Sequence, residues 1–109
     1  MRLISQNGMI DVPYEMSAIR NDDGLIILCM AGETGKGSVI ATYSTSEKAE
    51  KAMEMLREQF SRLQVVKILA SGTCEHMEKS LSKDEFLECN LKYREMNIFQ
   101  FPQDEDAEV

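Results

Sequence analysis

The sequence predicts an α+β fold: a mainly antiparallel sheet of about five or six strands with one long and one shorter helix, assembling as an oligomer. Three stretches lead there. MRLISQNGMIDVPYE reads as strand, turn and strand from the first residue, Leu25 to Ala31 is apolar at every position, and Ser44-Thr45-Ser46-Glu47 opens a helical pattern.

In chain order, Arg2 to Gln6 and Met9 to Tyr14 flank Asn7-Gly8, whose tolerance of positive φ at both central positions signals a hairpin. Pro13 cannot donate a ladder hydrogen bond, so the second strand is an edge, is bulged or ends there. Asn21-Asp22-Asp23-Gly24 predicts a second hairpin loop, between Met16 to Arg20 and Leu25 to Ala31. The apolar run has the composition of a central strand covered on both faces. With one long helix to cover one face, the other must be hidden by the second helix or by another protomer, hence the expectation of a homo-oligomer. Gly32 to Gly37 reads as a loop, and Ser38 to Tyr43 as a strand with Val39, Ala41 and Tyr43 on one face.

Ser44 and Glu47 match a capping box, in which the Ser44 hydroxyl accepts from the Glu47 amide and the Glu47 carboxylate reaches back. Ala49, Ala52, Met53, Leu56, Phe60 and Leu63 then follow at helical spacing, a stripe of about four turns. Met55 falls off that stripe and is expected in solvent, with a contact to another protomer as the alternative. Val65 to Ala70 reads as a strand ended by Gly72. Ser82-Lys83-Asp84-Glu85 is a second capping box, opening a helix with Phe86, Leu87 and Leu91 inward and ending near Met96. Asn97 to Phe101 returns to strand chemistry, with Phe99 and Phe101 on one face, until Pro102. Residues 1-102 thus form one domain, and 103-109 an acidic tail with little apolar area, expected to be dispensable for folding.

The 109 residues carry a formal charge of −7, and Asp104, Glu105, Asp106 and Glu108 supply four of those negative charges. The twelve Lys and Arg are scattered among acids, which disfavours direct DNA binding and suits a partner with a basic surface. Three cysteines without C-x-x-C spacing, and an N-terminus without a leader pattern, suit the reducing cytosol. The apolar run is far short of the ~20 residues that span a bilayer.

Gly32-Glu33-Thr34-Gly35-Lys36-Gly37 is similar to a phosphate-binding loop, but G-x-x-x-x-G-K-[ST] needs a hydroxyl directly after the Lys and then a helix. Lys36 beside glycine amides still offers an anion contact. Cys74, His76 and Cys89 lack the paired spacing of a structural zinc site, so no metal or other cofactor is expected. The acidic pairs Asp22-Asp23, Asp84-Glu85 and Asp104-Glu105-Asp106 read as turn, helix N-terminus and tail rather than as acid catalysts. Tyr93-Arg94 places an aromatic face beside a guanidinium at a helix end, a pair that stacks a base and holds a phosphate.

MRLISQNGMIDVPYE, ATYSTSEKAEKAMEMLRE and NIFQFPQDEDAEV together resemble small proteins of phages and prophages of Gram-positive anaerobes. The resemblance implies a counter-defence setting in the host cytosol, and among such proteins the Thoeris anti-defence class, whose oligomers soak up a cyclic nucleotide signal. The expected function is therefore non-enzymatic sequestration of a cyclic nucleotide or ADP-ribose-derived signal, with Arg20, Lys36, Tyr93 and Arg94 as the ligand contacts. The alternative is an acidic interaction protein that inhibits a host defence effector through its tail and Asp22-Asp23.

Overall fold

The computed structural model describes residues 1–32, 35, 37–80 and 83–107, with side chains given for these except 69–80, 83, 86, 89 and 90. The fold is α+β, with six strands and two helices in the order β1 (Arg2–Ile4), β2 (Asp11–Pro13), β3 (Ser17–Asp22), β4 (Leu25–Met30), β5 (Ser38–Thr42), α1 (Ser46–Ser80), α2 (Lys83–Met96) and β6 (Ile98–Gln100). The strands divide into two three-stranded sheets, β2-β1-β6 and β3-β4-β5, rather than forming one. Every pairing is antiparallel except β1 with β6, which is parallel and joins the two ends of the chain.

The first hairpin forms with a different turn. Asn7 keeps a negative φ and only Gly8 is positive, at +77°. The Ser5 N–H donates to the Ile10 carbonyl at 2.9 Å, so four residues loop out, and Asn7 acts through its side chain. Its Oδ1 accepts from the Ser5 hydroxyl at 2.7 Å and from the Met9 N–H at 2.9 Å. The two-residue turn with both φ values positive sits instead at Asp23 (+52°) and Gly24 (+95°), so β3 and β4 extend closer to the turn than the four-residue loop read from the sequence.

On β4, Ile26 and Leu28 are buried against α1, whereas Leu25 is 36% exposed on the other face. On β5 the alternation breaks because a bulge sets Ile26 opposite Ala41 and Ile27 opposite Val39. Ile40, Ala41 and Tyr43 therefore turn inward, and Val39, expected beside them, is 51% exposed.

The N-cap of α1 is Thr45, one residue after the expected Ser44: the Thr45 hydroxyl accepts from the Lys48 N–H at 3.2 Å. Ala49, Ala52, Leu56 and Leu63 are fully buried, as the stripe predicts. Met55 packs against the core rather than standing in solvent. The helix does not stop near Leu63. It spans 35 residues in all, continuing through the segment read as a strand and past Gly72. At 1.5 Å per residue that is about 52 Å, matching the 50 Å long dimension of the molecule. The β-branched Val65, Val66 and Ile68 favour strand locally, but extending an existing helix takes no new nucleus.

The second helix lies where the sequence places it, although Ser82, its expected cap, lies outside the described residues, as does the Phe86 side chain. Leu87 and Leu91 point outward, 52% and 55% exposed, because α2 packs chiefly on α1 and β6 through other positions. It therefore does not cover the outer face of β4.

Phe99 and Phe101 are buried edge to face, 5.4 Å between centroids. The chain does not then leave the domain. The Tyr43 hydroxyl and the Gln6 side-chain amide both donate to the Pro102 carbonyl, at 2.8 and 3.1 Å. Asp104 accepts from the Ser44 N–H at 2.7 Å and pairs with Lys48 at 3.3 Å, and Ala107 is fully buried. Residues 103–107, expected to be unpacked, lie against the body; 108 and 109 lie outside the described residues.

Candidate functional site

Gln59, half-way along α1, fixes where the chain returns. Its side-chain amide donates to the Met96 and Ile98 carbonyls at 3.1 and 2.7 Å, holding the end of α2 and the start of β6 against α1. Asn97 closes α2, its side chain donating to the Tyr93 carbonyl and its N–H to the Arg94 carbonyl, both at 3.1 Å. Between these helices lies a shallow cleft of about 440 Å³, lined by Ser61, Arg62, Val65, Val66 and Met96 and largely open to solvent. Val65, Val66 and Met96 make an apolar floor.

Arg62 supplies the charge. Its neighbour Arg57 pairs with Glu50 at 3.3 Å, whereas Arg62 has no ion-pair partner among the described residues. Lys67, five residues further along α1, acts elsewhere: it helps hold the Glu15 carboxyl below its ordinary range, after the larger effect of the N-terminal ammonium. One guanidinium beside an apolar floor suits a small anion with a flat or apolar body.

Of the four residues expected to bind a ligand, the three that are described lie on two different elements. Arg20 is exposed on β3, opposite Ile27 of β4. Lys36 lies outside the described residues. Tyr93 and Arg94 stand in the last turns of α2. Tyr93 precedes Met96 by three positions and so shares the face that borders the cleft, whereas Arg94, two positions away, turns from it. Arg62, Val65 and Val66 escape the sequence reading because a strand from Val65 would separate the two valines from the helix that carries Arg62. The usable signal was the absence of Gly and Pro between Ser46 and Ser71, with apolar spacing continuing through Phe60, Leu63 and Val66.

The side chains of Cys74, His76 and Cys89 lie outside the described residues, and no group of three His, Cys, Asp or Glu among those described could hold a metal ion. Cys29 is a free, half-buried thiol on β4. Asp84 and Glu85 occupy the first turn of α2, where they complement its dipole. No helix among the described residues is long and apolar enough to cross a membrane. Comparison with family models, curated proteins and solved structures finds no match for this chain.

Proposed function

We propose that this chain is a non-enzymatic binding protein that sequesters a small nucleotide signal, in the counter-defence setting implied by its resemblance to phage and prophage proteins. The observation that carries this reading is the α1–α2 cleft, an apolar floor of Val65, Val66 and Met96 beside Arg62, which has no ion-pair partner among the described residues. Its ~440 Å³ falls within the ~300–1,000 Å³ typical of small-molecule sites. A base lies on the floor with Tyr93 at its edge, and a phosphate meets Arg62. Because the cleft is shallow and largely open, burying such a ligand takes a second surface, which in this reading is another protomer.

The alternative, in which the acidic tail fills a basic groove on a host effector, loses Asp104 to Ser44 and Lys48 and keeps only Glu105 and Asp106 exposed among the described tail acids. Calorimetry with a panel of cyclic nucleotides and cyclic ADP-ribose isomers tests the first reading. Removing a charge-assisted phosphate contact by Arg62→Ala should weaken binding by about 1.5–3 kcal/mol, whereas Arg94→Ala should have little effect. Silence across the panel, or binding indifferent to Arg62, overturns it.

A further inference from the structure

Among the described residues, three of the four sheet edges carry specific blocking devices. On β2 the outward position Pro13 has no N–H, and its carbonyl accepts from the Ser17 hydroxyl at 2.7 Å. The outer side of β6 is covered by the Gln59 amide, which takes the Met96 and Ile98 carbonyls. On β5 the Gln6 N–H donates to the Ile40 carbonyl at 2.8 Å, and the Gln6 side chain accepts from the Thr42 N–H at 2.9 Å. These are the ordinary ways in which a protein prevents a free edge from pairing with another chain.

The fourth edge, β3, is different. Its six residues pair with β4 in unbroken register from Ser17↔Met30 to Asp22↔Leu25, with no bulge, Pro, Gly or Lys. The two-residue turn makes Asp22 and Leu25 a hydrogen-bonded pair. Alternation then points the backbone groups of Arg20 and Ala18 toward β4, and those of Ile19 and Asn21 away from it. The Ser17 N–H is taken by the Tyr14 carbonyl. Among the described residues the outward N–H and C=O groups of Ile19 and Asn21 meet no hydrogen-bond partner.

We propose that β3 is an assembly edge that pairs antiparallel with β3 of a second copy, on a two-fold axis at Asn21, joining two β3-β4-β5 sheets into one of six strands. Charge selects the occupant and the register. Arg20 and Asp22 are both exposed on the outer face of β3, two positions apart and opposite in sign. An axis at Asn21 sets Arg20 opposite the partner's Asp22, and Asp22 opposite the partner's Arg20, while the two Asn21 backbones exchange both hydrogen bonds. Ile19 then falls opposite the partner's Asp23. An axis at Arg20 would oppose two like charges, and one at Ile19 would set Arg20 opposite the partner's Ala18 with no charge gained. The strand is thus complementary to itself, as a two-fold interface requires.

The test is sedimentation velocity at micromolar concentration with a charge swap, independent of any ligand. Wild type should sediment as a dimer that dissociates as salt is raised. Arg20→Asp and Asp22→Arg should each be folded by circular dichroism yet monomeric. Mixing those two variants should restore a dimer containing one of each, and the double variant Arg20→Asp/Asp22→Arg should dimerise by itself. A monomeric wild type overturns the proposal, as do a dimer unchanged in both single variants and folded single variants that stay apart when mixed. Should a single variant not fold, the double variant decides: a dimer supports the β3 edge, a monomer rejects it. Because the readout is mass alone, loss of nucleotide binding in the calorimetry would leave this result standing.

Discussion

Asp104 shows how one side chain turns an acidic segment into part of the fold. Its carboxylate accepts from the Ser44 N–H and meets Lys48, contacts that hold its pKa below the ordinary range. A depressed folded-state pKa stabilises the fold above the unfolded value of 3.8, and that contribution is lost as pH falls through the lower folded value. Asp104→Asn should therefore lower the Tm near neutral pH, with the gap to wild type closing on acidification below about pH 4; thermal melts of both proteins across that range check it. Two glycines give a second residue-scale comparison. Gly24 and Gly32 both hold positive φ, at +95° and +89°, but a Cβ on Gly24 would sit 2.7 Å from the Tyr43 carbonyl oxygen, while one on Gly32 meets nothing within 4 Å. Gly24→Ala should cost more than the ~1 kcal/mol of an ordinary conformational mismatch, and clearly more than Gly32→Ala, as read from urea midpoints.

Among the elements, α1 is the one that local reading divided wrongly. Val65 to Ala70 looks like a strand in isolation, yet Leu56, Phe60 and Leu63 continue a helical stripe straight into it. Gln64 sits exposed at the boundary that the sequence suggested. Proline there would be tolerated in a connecting loop but should cost about 3 kcal/mol or more inside a helix. Gln64→Pro is therefore expected to lower helical ellipticity and the urea midpoint together; an unchanged spectrum would restore the shorter helix. The same misreading hid the site, because Arg62 and Val65 border one cleft only when both stand on a continuous helix facing Met96. The bulge on β5 is a second element-scale event. It turns Ile40 inward and Val39 outward, and no pattern within Ser38 to Tyr43 announces it.

For the whole molecule, the closing feature is the meeting of the chain's two ends. β1 pairs in parallel with β6, Phe101 is 1% exposed, and residues 103–107 return to Gln6, Ser44 and Lys48. Removing residues 103–109 should lower the Tm by several degrees, since each 1 kcal/mol shifts a domain of this size by about 4–8 °C. Phe101→Ala, which empties a fully buried aromatic site, should cost about 3–5 kcal/mol. A truncated chain that melts with wild type would mean that the docking of Ala107 and Asp104 adds nothing in solution.

What the sequence determined by itself was local: the fold class, the apolar β4 core strand, the start of each helix within a residue or so, the Phe99–Phe101 face and the limit that Pro13 sets on β2. Each follows from periodicity, turn chemistry or a missing N–H, which act between near neighbours. Tertiary structure decided the rest. The division into two sheets, the parallel closure of β1 on β6, the outward turn of Leu87 and Leu91 and the docking of Asp104 all depend on partners far away in the chain. Non-local partners set these features because burial and hydrogen bonding to distant groups outweigh local propensities of a fraction of a kcal/mol per residue.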